Sequence, residues 1–357
     1  MNIFILTIHN PNISLGPTVR LQGFLNSEEF QNLNIYMLPF RRDKRFIKFN
    51  TIKNLIKSLY YIIKNRKKID LIHVVTPPSY TAPIAKFAKK FLKIPYIVDI
   101  GDPYAENMAE LHNYSKNSLR FKILKKLDNS LYKKADHLVL SSDGLTKYLP
   151  KNISKNVPQT TILTGICSEK DISIQENYKH PINKRCLFLG QYGPLQNFEY
   201  ILEVFNVAIK KDKEITLDVI GVGDNKNCKN KNIKFFGLIP QEQIPAKIKE
   251  YSCGIVSLKL SPNLDYAVPT KLLNYLSFGL PVFGTGGESS RKLIKNNKTG
   301  YISTKYDVEK DAEILIELLN DSKKLEDLSK NAINFAKKHL TFESAGRQLL
   351  EIYKSLP

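Results

Sequence analysis

Short apolar runs alternate with longer amphipathic segments along most of the chain. The apolar runs predict β-strands, among them Asn2–Ile8, Arg185–Gly190 and Thr216–Ile220. The segments between them, such as Phe198–Ile209, carry apolar residues at helical spacing. Because strands that alternate with helices form parallel sheets covered on both faces, the sequence predicts an α/β fold of the Rossmann-like, doubly wound type.

The length of the chain predicts two such domains. Its 357 residues exceed what one ordinary hydrophobic core holds together. We place the first domain at residues 1–166 and the second at residues 185–340, with the polar, aperiodic residues 167–184 as a linker. Residues 341–357 predict a capped helix.

Composition places the chain among globular proteins, with 42% hydrophobic and 25% charged residues. No apolar run is long enough to cross a bilayer, and the first residues lack the basic start and cleavage site of a signal peptide. A cytoplasmic location is therefore expected. The cysteines have spacings that fit neither a metal site nor a disulfide framework; they are Cys167, Cys186, Cys228 and Cys253.

The formal net charge of +20 biases the protein toward anionic partners. Residues 41–70 and 116–134 concentrate the basic side chains, and both segments also carry apolar residues at helical spacing. These apolar residues are Ile52, Leu55, Ile56, Leu59 and Ile63 in the first segment, and Leu119, Ile123, Leu127 and Leu131 in the second. Each segment is either a core-facing helix with a solvated basic back or a helix that docks on anionic lipid, and the two roles are compatible. Without a recognised nucleic-acid module, nucleic acid is not expected as a partner.

One stretch, residues 262–287, predicts a loop followed by a helix with an open start. Pro269 suits the first turn of this helix, and Gly279 followed by Pro281 ends it. The first N–H groups of a helix have no partner inside it, so with Lys271 beside them they form a natural seat for a diphosphate. The alternative is an ordinary helix packed on a sheet.

Glycines follow the predicted strands of the second half, at Gly190, Gly221, Gly223 and Gly237. In an open parallel sheet the carboxyl ends of the strands form the ligand crevice, so one extended ligand could touch all of these glycines and the start of the Pro269 helix. The Gly-x-Gly at 221 is a weak signal by itself, because a tight strand exit explains it equally well.

These features resemble the GT-B glycosyltransferases of family 4, a group of retaining, nucleotide-sugar-dependent enzymes that includes O-antigen and capsule transferases. The resemblance covers most of the chain. Its motifs are Gly16 with Arg20, Asp70-Leu-Ile-His73, Val98-Asp-Ile-Gly-Asp-Pro-Tyr104, Lys134-Ala-Asp136, Val219-Ile-Gly-Val-Gly223, Phe235-Phe-Gly237, and Val268-Pro-Thr-Lys-Leu-Leu-Asn-Tyr-Leu276 with Gly279-Leu-Pro-Val282.

The resemblance implies that two domains face each other across a cleft and that the last helix crosses back to the first domain. It also implies the transfer of a sugar, with retention of configuration, from a nucleotide-diphosphate donor to a glycan or lipid-linked acceptor in cell-surface polysaccharide synthesis. A UDP-sugar is favoured over a GDP-sugar as donor, and neither a cofactor nor a metal is expected. Front-face attack, assisted by the leaving diphosphate, makes positioning and charge stabilisation the main sources of catalysis.

The same resemblance implies roles for single residues. Asp102 and Lys271 would be catalytic, and Gly16 and Arg20 would lie on the acceptor side. The N–H groups from Thr270 to Leu272 would hold the diphosphate, Asn274 would face the ribose, and the backbone at Gly237 would contact the base. The full donor set is Gly190, Gln191, Gln196, Gly221, Gly223, Gly237, Tyr266, Pro269, Thr270, Lys271, Leu272 and Asn274.

The sequence departs from the family pattern at several of these positions. Tyr266 and Asn274 stand where many members carry two glutamates, and Gln191 and Gln196 replace the cations that usually grip the diphosphate. Gly101 replaces a histidine or arginine. These departures support an alternative, a GT-B scaffold that has lost catalysis and acts as a binding or partner subunit. A nicotinamide-dependent dehydrogenase is disfavoured because no Gly-x-Gly-x-x-Gly follows the first strand.

Overall fold

The computed structural model describes residues 1–8, 16–38, 47–76, 79–113, 115–176, 181–190, 193, 195–221, 228–240 and 243–356, with only the backbone of residues 16, 17 and 47–50. The chain divides into two compact units. Unit 1 comprises residues 1–166 and 342–357, and unit 2 comprises residues 167–341. Each unit has its own hydrophobic core. In the described part of the chain, no helix combines the length and apolar character needed to span a membrane.

Unit 1 contains a six-stranded sheet in the order β2-β1-β3-β4-β5-β6, with every neighbouring pair parallel. Its central strands are buried, largely apolar runs such as Leu71–Thr76, whereas the edge strands Asn34–Met37 and Gln159–Thr161 are not buried. The strands are β1 Asn2–Leu6, β2 Asn34–Met37, β3 Leu71–Thr76, β4 Tyr96–Ile100, β5 His137–Leu140 and β6 Gln159–Thr161. The helices are α1 Gly16–Leu25, α2 Glu28–Gln31, α3 Ile47–Lys64, α4 Ala82–Phe87, α5 Tyr104–His112, α6 Leu119–Tyr132 and α7 Lys151–Asn156, with a π-helical turn at Ala88–Leu92.

Unit 2 contains a second six-stranded parallel sheet, in the order β12-β11-β10-β7-β8-β9. The strands are β7 Arg185–Leu189, β8 Thr216–Ile220, β9 Ile233–Gly237, β10 Cys253–Ser257, β11 Val282–Thr285 and β12 Gly300–Ser303. The helices are α8 Glu169–Glu176, α9 Phe198–Lys211, α10 Ile244–Ile248, α11 Thr270–Ser277, α12 Glu288–Asn297, α13 Val308–Asn320 and α14 Ser322–His339. The strand order reverses between β7 and β10, and such a switch point is where doubly wound sheets bind ligands.

The last helix, α15 Phe342–Ser355, belongs to unit 1 and packs against α1 and α2. A Cβ atom added at Gly346 would lie 2.1 Å from Ser27 Oγ, so glycine permits the close approach of α15 to the chain before α2. Tyr353 is buried, and its hydroxyl hydrogen-bonds His73 Nδ1 at 2.6 Å. The C-terminal helix predicted from the sequence therefore completes the core of unit 1.

A buried ion pair lies beneath this helix. Arg20 Nε donates to Asp99 Oδ1 at 2.8 Å, and its Nη1 donates to the Ile162 carbonyl at 2.6 Å. His73 Nε2 lies 4.0 Å from Asp99 Oδ2. Burial lowers the pKa of His73 to about 4, so the imidazole is neutral at pH 7 and Arg20 is the charged partner of Asp99.

The predicted parallel α/β sheets are confirmed, and one segment differs from its predicted form. Residues 167–184, expected to be an aperiodic linker, contain α8, which contacts α14. Only Ile172 and Gln175 of this helix are buried. One apolar side chain on the inner face is too weak a periodic signal to reveal a short helix in the sequence.

We predict that Asp99→Asn destabilises the protein by about 3–5 kcal/mol, because it leaves the buried Arg20 guanidinium without a counter-charge. Urea unfolding of the variant measures this loss. Arg347→Gln is the matched control in unit 1: it breaks an exposed pair with Glu29 at 3.5 Å and should cost less than about 1 kcal/mol. Equal, small losses in both variants would show that the buried pair does not hold the fold.

Candidate functional site

Three glycines shape the carboxyl edge of the unit 2 sheet. Gly190 follows β7 with a φ of 95°, Gly221 follows β8 with a φ of 97°, and Gly237 ends β9 with a φ of 68°. These conformations favour glycine, because a Cβ atom would clash with the backbone. The Gly190 N–H donates to the Ile220 carbonyl at 2.8 Å, and the Gly221 N–H donates to the Gly237 carbonyl at 2.6 Å. The strand exits are thus bonded to one another.

The exits of β7 and β8 also approach each other closely. A Cβ atom added at Gly221 would lie 3.1 Å from the Gly190 Cα and N atoms. The backbone at this edge is therefore bare of side chains, next to the switch point between β7 and β10. A bare backbone at this position allows a ligand to come close to the strand ends.

Helix α11 begins beside this edge. Its N-cap, Pro269, is extended, with φ −61° and ψ 138°, and its carbonyl accepts the Leu272 N–H at 2.9 Å and the Leu273 N–H at 3.4 Å. The Leu272 amide, expected to hold a diphosphate, is therefore already bonded within the first turn. The Thr270 and Lys271 amides precede the first intrahelical bond and are the ones a ligand can use.

Tyr275 fixes the position of α11 on the sheet. Its buried hydroxyl accepts the Leu189 N–H at 2.7 Å and donates to the Ile255 carbonyl at 3.2 Å, which ties the helix to both β7 and β10. A Cβ atom at Gly254 would lie 2.4 Å from the Tyr275 ring, so this strand glycine makes room for it. The start of α11 is consequently held over the switch point.

Lys271 lies in this held first turn. Its Nζ atom lies 3.8 Å from the centroid of the Phe188 ring, and a Cβ atom at Gly190 would also be 3.8 Å from Nζ. Part of the side chain reaches the surface, but Nζ is buried and has no hydrogen-bond partner among the described residues. Burial lowers the pKa of Lys271 from its ordinary 10.5 to about 7. A buried ammonium without a counter-charge next to two open amides is suited to binding an anion.

The other predicted donor residues have different surroundings. Gln196 Oε1 accepts the Ser257 hydroxyl at 2.8 Å, so this side chain is tied to the end of β10. Tyr266 is buried and Asn274 is half-buried, one turn after Lys271 on α11. Gln191 and Gly223 lie outside the described residues. Within the described residues, the structure brings Gly190, Gly221 and the start of α11 to one edge of one sheet.

Helix α12 supports the loop that precedes α11. The Ser289 N–H donates to the Asp265 carbonyl at 2.8 Å, and the Ser290 hydroxyl donates to the Ala267 carbonyl at 2.7 Å. A Cβ atom at Gly287 would lie 2.4 Å from the Leu264 carbonyl oxygen, so glycine is needed there. The sequence interpretation missed these supports, although the Gly-Gly-Glu-Ser-Ser run after a strand is typical of a helix start.

In unit 1, Asp102 lies half-buried between β4 and α5, and α1 begins at Gly16. Arg20, predicted to lie on the acceptor side, is buried in unit 1 and only 3% exposed. Its Nε and Nη1 atoms donate to Asp99 and to the Ile162 carbonyl, whereas Nη2 has no partner among the described residues.

Asp128 connects the segments that follow β3 and β4, and no local sequence pattern indicates this role. The Ser79 hydroxyl donates to Asp128 Oδ1, and the Ala105 N–H at the start of α5 donates to Oδ2 at 3.3 Å. Burial raises the pKa of Asp128 to about 6. This carboxylate therefore positions the chain just beyond Asp102.

Comparison with known proteins supports the glycosyltransferase prediction. The family model described as Glycosyl transferases group 1 matches residues 169–335, almost all of unit 2. An uncharacterized glycosyltransferase of Methanocaldococcus jannaschii is 23% identical over 286 residues, which cover 76% of this chain and 71% of the relative.

Two solved structures share the fold. Anabaena HepE in complex with UDP aligns with a TM-score of 0.72 at 14% identity, covering 100% of both chains. Sucrose-phosphate synthase from Thermosynechococcus elongatus aligns with a TM-score of 0.72 at 14% identity, covering 99% of this chain and 98% of its own. These similarities confirm the predicted GT-B fold class.

We predict that Gly221→Ala destabilises the protein by about 1–3 kcal/mol, because alanine is strained at this φ and its Cβ meets the Gly190 backbone. Thermal unfolding measures the effect. Gly193→Ala is the control, since an added Cβ there meets nothing within 4 Å, and should change stability by less than about 0.5 kcal/mol. A Gly221→Ala variant as stable as the control would contradict the role of this strand exit.

Proposed function

We propose that the protein is a glycosyltransferase that moves a sugar from a nucleotide-diphosphate donor to a glycan or lipid-linked acceptor. The observation that carries the proposal is Lys271, whose buried Nζ atom has no partner among the described residues and lies beside the open start of α11 at the switch point of unit 2. A diphosphate would supply the missing counter-charge and accept from the Thr270 and Lys271 amides.

The comparisons support a UDP-sugar as donor. Solved structures of HepE that resemble this chain are complexes with UDP and with UDP-glucose. The resemblance to family 4 adds retention of configuration and a role in cell-surface polysaccharide synthesis, and neither a metal nor a cofactor is part of the proposal. The Gly221 and Gly237 backbone would then lie along the nucleoside, with Asn274 toward the ribose.

In the proposed reaction, the bond between the anomeric carbon and the diphosphate oxygen breaks as the acceptor oxygen bonds to the same face of the carbon. The acceptor hydroxyl gives its proton to the leaving diphosphate. Lys271 and the helix amides stabilise the charge that develops on that diphosphate. Asp102, at the carboxyl edge of the unit 1 sheet, is assigned to the positioning of the transferred sugar and the acceptor.

A panel of UDP- and GDP-sugars tests this function through thermal stability. We expect UDP-sugars to raise Tm, since a ligand at 100 times its Kd adds about 2.7 kcal/mol to the stability of the folded state. Lys271→Met should lose most of this shift, whereas Lys292→Met, which removes an exposed lysine of α12, should keep it. No shift with any nucleotide-sugar would exclude the enzyme function, and binding without turnover across a panel of acceptors would favour the scaffold alternative.

A second part of the proposal concerns the membrane. Part of the apolar stripe of α3 points outward. Ile52 and Ile56 are 58% and 63% exposed and Tyr60 is 65% exposed, whereas Leu55 and Leu59 are half-buried and Ile62 is buried. Ile63 is exposed too, as are Leu119 and Ile123 of α6. The basic residues 41–46 of the predicted segment lie outside the described residues.

The chemistry around this stripe favours an anionic lipid surface over a protein partner. No acidic residue occurs between Ile47 and Ile69, and Lys53, Lys57 and Lys64 flank the exposed apolar side chains. Phe91, in the π-helical turn that contacts α3, is also exposed. Apolar side chains that enter the headgroup region, with lysines beside lipid phosphates, fit peripheral binding at the cytoplasmic face of the plasma membrane.

We predict that the protein floats with vesicles of phosphatidylcholine and phosphatidylglycerol but not with phosphatidylcholine alone, and that salt weakens the binding. The double variant Ile52→Asp with Ile56→Asp should lose binding at least about tenfold, because it adds repelling charge and removes buried apolar area. Ile174→Asp, at an exposed isoleucine of α8, is the control and should bind normally. If flotation changes neither with lipid charge nor in the double variant, this surface is not the one that binds the membrane.

A further inference from the structure

We infer that Lys271 takes up a proton when the donor diphosphate binds, so that the affinity for nucleotide depends on pH; this inference rests on the proposed donor site. The geometry that carries it is the position of Nζ, which lies against the Phe188 ring beside Gly190 with no hydrogen-bond partner among the described residues. The described part of the chain thus supplies an aromatic face but no anion.

The described elements around Lys271 place no negative charge beside its Nζ atom. Helix α11 has no other charged residue, and β10 and β11, which pack on it, carry only one titratable side chain, Cys253. In β7, Arg185 is paired with Asp218 and Glu250, and burial raises the pKa of Cys186, which stays neutral.

Helix α14 also packs on α11, but none of its charged side chains, from Lys323 to His339, shifts the pKa of Lys271. The Tyr275 hydroxyl is held by Leu189 and Ile255, and burial raises its pKa. Burial alone lowers the pKa of Lys271, to about 7. At pH 7, about half of the molecules of the free protein therefore carry a neutral Lys271 amine.

A bound diphosphate changes this balance. Its oxygens place negative charge next to Nζ, which favours the ammonium form and raises the pKa of Lys271 in the complex. By linkage, binding then draws in up to one proton. Affinity is greatest below the pKa of the free lysine and falls as pH rises from there toward the pKa of the complex.

The experiment is isothermal titration with UDP and with GDP between pH 7.5 and 9.0. A terminal phosphate has its second pKa at about 6, so the diphosphate of the ligand hardly titrates in this range. We expect the Kd of the wild type to rise at least about tenfold, because the protonated fraction of Lys271 falls from about a quarter to about one in a hundred. Titrations in Tris and in HEPES, whose ionisation enthalpies differ, should reveal proton uptake by the complex.

Three variants separate the role of Lys271 from general effects of pH. Lys271→Met should bind weakly with a Kd that does not change with pH, and Lys271→Arg, which stays charged, should also lose the pH dependence. Lys292→Met should keep the pH dependence of the wild type, since its ammonium is exposed.

A second readout needs no ligand. A buried lysine with a lowered pKa binds fewer protons in the folded state than in the unfolded state, so wild-type stability rises with pH above about 7. The difference in Tm, wild type minus Lys271→Met, should therefore increase from pH 7.5 to pH 9.0. A constant difference would contradict a neutral buried amine.

The possible failures are distinguishable. Nucleotide binding with a pH-independent Kd in the wild type would overturn proton uptake and leave the proposed donor site in place. No binding of UDP or GDP at any pH would instead overturn the donor site itself.

Discussion

Hydrogen bonds between the strand exits hold together the carboxyl edge of the unit 2 sheet. The Gly190 and Gly221 amides each donate to the next strand exit, at Ile220 and Gly237, and the positive φ angles place no side chain in the way. Because this edge is bare, α11 can lie across β7 and β10 with Lys271 beside Gly190. A side chain added at Gly221 would therefore meet the Gly190 backbone, and one added at Gly190 would contact Lys271.

The strands and the start of α11 could be predicted from the sequence because their signals are local. Apolar runs that end in glycine indicate buried parallel strands, and Pro269 followed by spaced leucines indicates a helix. The direction of the α3 stripe could not be predicted, since Ile52 and Ile56 have the same spacing in a core-facing helix as in an exposed one. The 58% and 63% exposure of these two side chains in the structure distinguishes the two cases.

The partners of the two buried basic side chains, Arg20 and Lys271, could not be predicted either. Arg20 and Lys271 both occur in family-like motifs, yet Arg20 has Asp99 as a permanent partner and Lys271 has an aromatic ring. Each partner comes from a distant part of the sequence, so neither pairing is visible in local patterns. A paired buried charge holds a fold, whereas an unpaired one weakens it and becomes favourable only with a ligand. The contrast separates an arginine with a built-in counter-charge from a lysine that has none among the described residues.

The position of α15 in unit 1 has a consequence for how the chain folds during synthesis. Ala345, Leu349 and Tyr353 of α15 lie in the core of unit 1, but the ribosome makes α15 only after all of unit 2. Unit 2 is contiguous and can fold as soon as it emerges, whereas the α1 and α2 surface that α15 covers must wait uncovered. Of the two units, the one whose translation begins earlier is thus the later to reach its native state.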